Sequence, residues 1–91
     1  MVRKLLKVRV FGKVKGVFFR HSAKIKADSL SLNGFARNED GDCVYIEAEG
    51  SEGRLKEFME WCREGPPLAK VGRIEAFWAE PSGEFSEFEI K

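Results

Sequence analysis

The order in which the hydrophobic period changes along this chain constrains its fold more than any other feature. From Lys4 to Phe11 apolar residues alternate, with Leu6, Val8 and Val10 on one side, the pattern of a half-buried strand. The period then lengthens. Ala23, Ala27 and Leu30 fall at helical spacing, so a helix is expected from about Arg20 or His21 to about Ser31, stopped by Asn33-Gly34. Gly34-Phe35-Ala36-Arg37-Asn38 reads as a second strand, and Glu39-Asp40-Gly41-Asp42 as a hairpin turn, because Asp-Gly accepts the positive φ angles such turns need. Val44, Ile46 and Ala48 alternate again as a third strand. Ser51 is expected to cap a second helix that packs through Leu55, Phe58, Met59 and Cys62, and Gly65-Pro66-Pro67 ends it. Val71 to Ala79 reads as a fourth strand, and after Pro81-Ser82-Gly83 a short last strand is expected around Phe85 to Ile90. The order β-α-β-β-α-β with a short extra C-terminal strand defines an α+β, ferredoxin-like split β-α-β sandwich. Its two helices should cover one face of an antiparallel sheet.

Length sets the scale of that architecture: 91 residues give a single domain over 1–91, in which most apolar side chains must serve the core. The 16 basic and 15 acidic residues leave a net charge of +1, which argues against a protein dedicated to nucleic acid. The charged start Met1-Val2-Arg3-Lys4-Leu5-Leu6-Lys7 does not read as a signal peptide, and no apolar stretch is long enough to cross a bilayer. A soluble, cytoplasmic protein is expected. Cys43 and Cys62 are too few for a disulfide scaffold and lack metal-site spacing, so both read as free thiols with packing roles. Cys43 is out of phase with Val44, Ile46 and Ala48 and should face away from that core stripe.

The stretch Gly12-Lys13-Val14-Lys15-Gly16-Val17-Phe18-Phe19-Arg20 is the first place where chemistry concentrates. Glycines let a loop curl so that successive main-chain N–H groups turn inward, and such a nest binds anions. The helix that follows adds its positive end and its unpaired first-turn donors. Arg20 adds a forked, permanently charged donor matched to phosphate oxygens, and a cation at a helix start is unfavourable without an anion to meet it. On its own such a junction is more often architecture than a binding site. Asn38, taken alone, reads as a strand-end or turn former.

Together with the rest of the chain, these stretches resemble the acylphosphatase family. Gly-x-Val-x-Gly-Val-Phe-Phe-Arg at 12–20 is similar to its first signature, and Gly34-Phe35-Ala36-Arg37-Asn38, followed by Val44 and Gly50, to its second. Ala27, Leu30, Leu32, Trp61, Gly65-Pro66-Pro67, Val71 and Phe88-Glu89-Ile90 continue the agreement. The resemblance implies hydrolysis of acyl phosphates to carboxylate and inorganic phosphate by direct in-line water attack, with no metal, cofactor or covalent intermediate. It implies a phosphate cradle from the backbone of Lys15, Gly16, Val17, Phe18, Phe19 and Arg20, with the Arg20 guanidinium on the same phosphate and Asn38 orienting the water. Inorganic phosphate is then both product and competitive inhibitor, and a monomer or weak dimer is expected. Two departures stand out. Lys15 occupies a position where the family usually has glutamine, and the turn glycine is Gly41 rather than residue 42, which is Asp42.

His21, the sole histidine, lies one residue past Arg20, about 100° around a helix from it, and is expected at the surface or behind the site. An RNA-recognition domain has the same element order, and Lys15-Gly16-Val17-Phe18-Phe19 faintly echoes its aromatic motif. That motif belongs on a central strand, whereas here it precedes the first helix, and the third strand offers only Tyr45 as a stacking ring. A metallochaperone of this architecture needs Cys-x-x-Cys in the first loop, which is missing.

Overall fold

The computed structural model describes residues 2–91. The elements run β1 (Arg3–Lys13), α1 (Phe19–Ser29), β2 (Asn33–Glu39), β3 (Cys43–Ser51), α2 (Glu52–Glu64), β4 (Lys70–Ala79) and β5 (Phe88–Ile90). The sheet order is β4-β1-β3-β2-β5. The four long strands pair antiparallel, but β5 joins the outer edge of β2 in parallel, so the sheet is mixed rather than antiparallel throughout.

The period-2 register explains which face is covered. Leu6, Val8 and Val10 of β1, Val44, Ile46 and Ala48 of β3 and Ala36 of β2 form one buried cluster with Phe19, Ala23 and Ala27 of α1 and Leu55, Phe58 and Cys62 of α2. Both helices therefore lie on one face, each contributing its apolar stripe. Complete burial of Phe58 alone contributes roughly 1.5–3 kcal/mol. Phe88 joins this core, Phe85 packs instead against Phe35 on the helix-free face, and Trp78 remains exposed on edge strand β4. Cys43 lies outside the core cluster, as its phase requires, and is nevertheless buried beside Glu39.

Three expectations need correction. The left-handed residue that ends α1 is Ser31, with φ 56°, and not Asn33-Gly34. Gly34 sits inside β2 at φ 150°, where a Cβ would lie 1.8 Å from the Glu47 carbonyl oxygen, so the close approach of β3 demands glycine there. Ser51 does occupy the N-cap of α2, but its side chain makes no capping bond; the Glu52 N–H donates to the Val2 carbonyl at 2.9 Å. The last strand is shorter than expected, because the segment before Phe88 crosses the helix-free face, where the Asn33 amide donates to the Phe85 carbonyl.

Candidate active site

At the end of β1 the Val14 N–H closes a tight turn onto the Gly12 carbonyl at 2.9 Å, and the chain then curls into α1. Val14, Val17 and Phe19 are buried, which anchors the underside of the curl in the core. Gly16 and Phe18 both adopt left-handed backbone, at φ 71° and 64°, on either side of Val17. Left-handed residues set next to right-handed ones turn successive N–H groups toward one side, the geometry of an anion nest. For phenylalanine that conformation costs roughly 1–2 kcal/mol. The Phe18 side chain is 71% exposed, so its own packing does not offset the cost. Strain of this kind concentrates at binding sites.

Among the described residues, no main-chain N–H from Lys15 through His21 donates to a main-chain acceptor; the first helical bond is Ser22 N–H to the Phe18 carbonyl at 3.0 Å. Phe18 makes no side-chain capping bond, and the first turn of α1 holds no acidic residue. The positive end of the helix therefore has no counter-charge of its own.

Arg20, in that first turn, is half-buried and donates from Nη1 to the main-chain oxygen of Lys91 at 2.9 Å. Asn38 pairs with Val44 near the end of β2. It has the parity of Gly34 and Ala36, so alternation places it on the helix-bearing face, exposed beyond the end of the core. Arg20, Asn38, Gly16, Phe18 and Phe19 all line one recess of about 290 Å³, which Val14, His21 and Ile90 complete.

Two of the loop residues named from sequence do not line it. Val17 is buried beneath, and the Lys15 ammonium donates to the main-chain oxygen of Glu39, the residue after Asn38. His21 is exposed, as expected, and also lines the recess, which wraps around the first turn of α1. Phe18 and Ile90 are the residues of this site whose structural part the sequence did not announce: a left-handed phenylalanine has no compositional signature, and Ile90 reaches the recess only through the parallel pairing of β5.

On the opposite face, Glu39 accepts from Arg9 Nε at 2.8 Å and from Arg37 Nη2 at 3.2 Å. The Arg9 hydrogen bond is the main cause holding the Glu39 carboxyl below the usual carboxylate range. Tyr45, under the Arg9 and Arg37 guanidiniums, is pushed up to about 12 by burial and by its 2.6 Å bond to Glu47, so its phenol stays protonated at neutral pH.

Fold and recess together define a split β-α-β protein with a concave surface at its first strand–helix junction, lined by the curled loop, the Arg20 side chain and Asn38. The acylphosphatase family profile matches residues 6–90. An acylphosphatase from Dehalococcoides mccartyi is 42% identical over 87 residues, covering 94% of this chain and 96% of the relative. Another, from Pyrobaculum calidifontis, is 42% identical over 89 residues, covering 94% of this chain and 81% of the relative. The crystal structure of acylphosphatase from Bacillus subtilis superposes with a TM-score of 0.93 at 33% identity, covering 97% of this chain and 98% of that one. The chain belongs to the acylphosphatase family, hydrolases acting on acid anhydrides whose function is the hydrolysis of acyl phosphates.

Proposed function

We propose that the recess takes the phosphoryl group of an acyl phosphate into the curl from Lys15 to Arg20, with the Arg20 guanidinium on the same phosphate and Asn38 holding the attacking water. The observation that carries this reading is the run of main-chain N–H groups without a main-chain acceptor, beside an arginine and an asparagine that line the same recess. Phosphoryl transfer asks the protein mainly to position groups and stabilise charge. The water oxygen attacks phosphorus in line, the bond from phosphorus to the acyl oxygen breaks, and the electron pair leaves with the carboxylate. The water's proton passes to a phosphate oxygen. A carboxylate leaving group, whose acid has a pKa of about 4 to 5, departs without a proton, so no general acid is required. This suits a recess in which, among the described residues, the titratable lining side chains are Arg20 and His21.

The exposed rings and chains of Phe18 and Ile90 offer the acyl group an apolar resting place beside the phosphate. A cytoplasmic protein acting as a monomer or weak dimer is part of the proposal; the two buried thiols, Cys43 and Cys62, are unpaired, in keeping with a reducing compartment.

The experiment compares an aromatic acyl phosphate with a phosphate monoester, both with chelator present. Turnover of the first, little of the second and competitive inhibition by inorganic phosphate are expected. A strict metal requirement, or equal rates on both substrates, overturns the mechanism.

A further inference from the structure

The side chain of Lys15 belongs to the phosphate loop by sequence and yet turns away from the recess. Its ammonium reaches the main-chain oxygen of Glu39, 24 residues further along the chain and directly after Asn38. Among the described residues this is the one hydrogen bond that joins the loop between β1 and α1 to strand β2; the remaining loop bonds, Val14 to Gly12 and Ser22 to Phe18, are local. Glu39 is also held through its carboxylate, by Arg9 and Arg37, so the strand end that bears Asn38 is gripped from the sheet side by two arginines and from the loop side by Lys15. Beyond Glu39 the strand gives way to the turn at residues 40–42; Glu39–Cys43 is the last register pair of β2 with β3, and the turn itself is held from β1 only at its far side, where the Gly12 N–H donates to the Asp42 carbonyl at 3.1 Å.

We propose that Lys15 is a positioning residue, whose ammonium clasps the Glu39 carbonyl and so fixes the spacing between the phosphate loop and Asn38. The inference rests on the roles given above to the loop and to Asn38. Its physical basis is the steep dependence of rate on alignment: a shift of about 1 Å between reacting partners can cost about a hundredfold. A bound phosphate and an attacking water are held here by two different segments, one from the loop and one from the strand. A bond that spans those segments sets their alignment directly.

The rival role for the same side chain is electrostatic. An ammonium beside the loop also raises the local positive potential, and salt screens that effect over about 8 Å at physiological ionic strength. The two roles separate in kinetics, because alignment acts on kcat while potential acts on KM and on phosphate affinity.

The test uses the full chain with an aromatic acyl phosphate, inorganic phosphate as inhibitor, and three variants. Lys15→Met keeps most of the stem and removes donor and charge; Lys15→Gln removes the charge and keeps a donor; Asn38→Ala supplies a second background. The clasp predicts that Lys15→Met lowers kcat by roughly tenfold, with KM and phosphate inhibition within about twofold of the parent, and that Lys15→Gln recovers much of the loss. It also predicts that adding Lys15→Met to Asn38→Ala costs little more, since the water-holder is already gone. Raised KM and weakened phosphate inhibition at unchanged kcat would assign Lys15 to the electrostatic role and overturn the clasp. A lower Tm alone, no effect at all, or an undiminished loss in the Asn38→Ala background overturns it too. If Asn38→Ala keeps the parent's kcat, the underlying reading of the site fails instead, an outcome readable apart from any Lys15 variant.

Discussion

Two regions of this chain set main-chain N–H groups and an arginine around a place for negative charge, and they differ in where that charge comes from. At the first strand–helix junction the donors from Lys15 through His21 have no main-chain acceptor, and Arg20 stands beside them. Across the sheet, on the helix-free face and toward the other end of β3, the Glu49 carboxylate is 1% exposed. It accepts from the Ser82 N–H at 2.6 Å, the Ser82 hydroxyl at 2.9 Å and the Gly83 N–H at 3.0 Å, with Arg3 Nη2 at 3.9 Å. Burial pushes the Glu49 carboxyl up, but the Ser82 and Gly83 bonds outweigh it and hold the group below the usual carboxylate range. One construction is closed by the protein's own anion and serves structure. The other has no carboxylate of the protein among its lining residues, and it is the one to which we assign substrate binding. Construction alone does not distinguish a latch from a site; the presence of an internal partner does.

The sharpest way to break this comparison is to remove the open site's charge. Arg20→Ala is expected to cut kcat/KM by about 10²–10³ and to weaken phosphate inhibition with it, the scale of losing one preorganised donor to a developing charge. Steady-state kinetics with a phosphate titration check this, and unchanged inhibition would mean that the anion sits elsewhere.

The matching change at the closed site is Glu49→Gln. It should leave kcat and KM near the parent's values and lower stability by about 1–3 kcal/mol, since it removes a charged acceptor from buried donors. Its pH dependence has a definite sign. Because folding depresses the Glu49 pKa, the latch contributes fully above the unfolded value of about 4.3 and is lost as pH falls through the lower folded value. Acid unfolding of the parent should therefore be steeper below about pH 4 than that of Glu49→Gln. Glu39, held low by Arg9, keeps part of that slope in the variant. Equal acid profiles in denaturant titrations would remove Glu49 from the account.

The smallest effect is expected at Phe18. Phe18→Gly relieves a left-handed phenylalanine while freeing the unfolded chain, so stability should change by less than about 1 kcal/mol. The preference for aromatic over small acyl phosphates should fall, because the exposed ring beside the recess is gone. A retained preference would separate the acyl group from that ring.

The element order was legible because Leu6, Val8 and Val10, Val44, Ile46 and Ala48, and the Leu55–Phe58–Cys62 stripe each keep one period cleanly. Asn33-Gly34 misled because two rules compete for glycine. It ends helices, and it also fits where backbones approach; here the Glu47 carbonyl decides, and Ser31 takes the left-handed turn. Glu49 reads from sequence as an outward residue on an alternating strand. Its burial depends on the segment carrying Ser82 and Gly83, a contact across 33 residues that no local pattern encodes. Of the recess lining, Arg20 was nameable by residue type and resemblance, and Asn38 through the resemblance alone. The direction of the Lys15 side chain, the conformation of Phe18 and the arrival of Ile90 depend on how distant segments meet.

The parallel seam between β5 and β2 has a consequence for how this molecule wears out. Only three residues make up β5, yet it brings Ile90 to the recess and leads into the Lys91 oxygen that Arg20 holds. A transient fraying of Ile90 and Lys91, beyond the buried Phe88, strips one wall from the cavity and releases the guanidinium, while Phe88 and the layered interior under both helices stay in place. If the recess is the site we propose, chemical competence and global order sit on different rungs, and the former rests on the lower one.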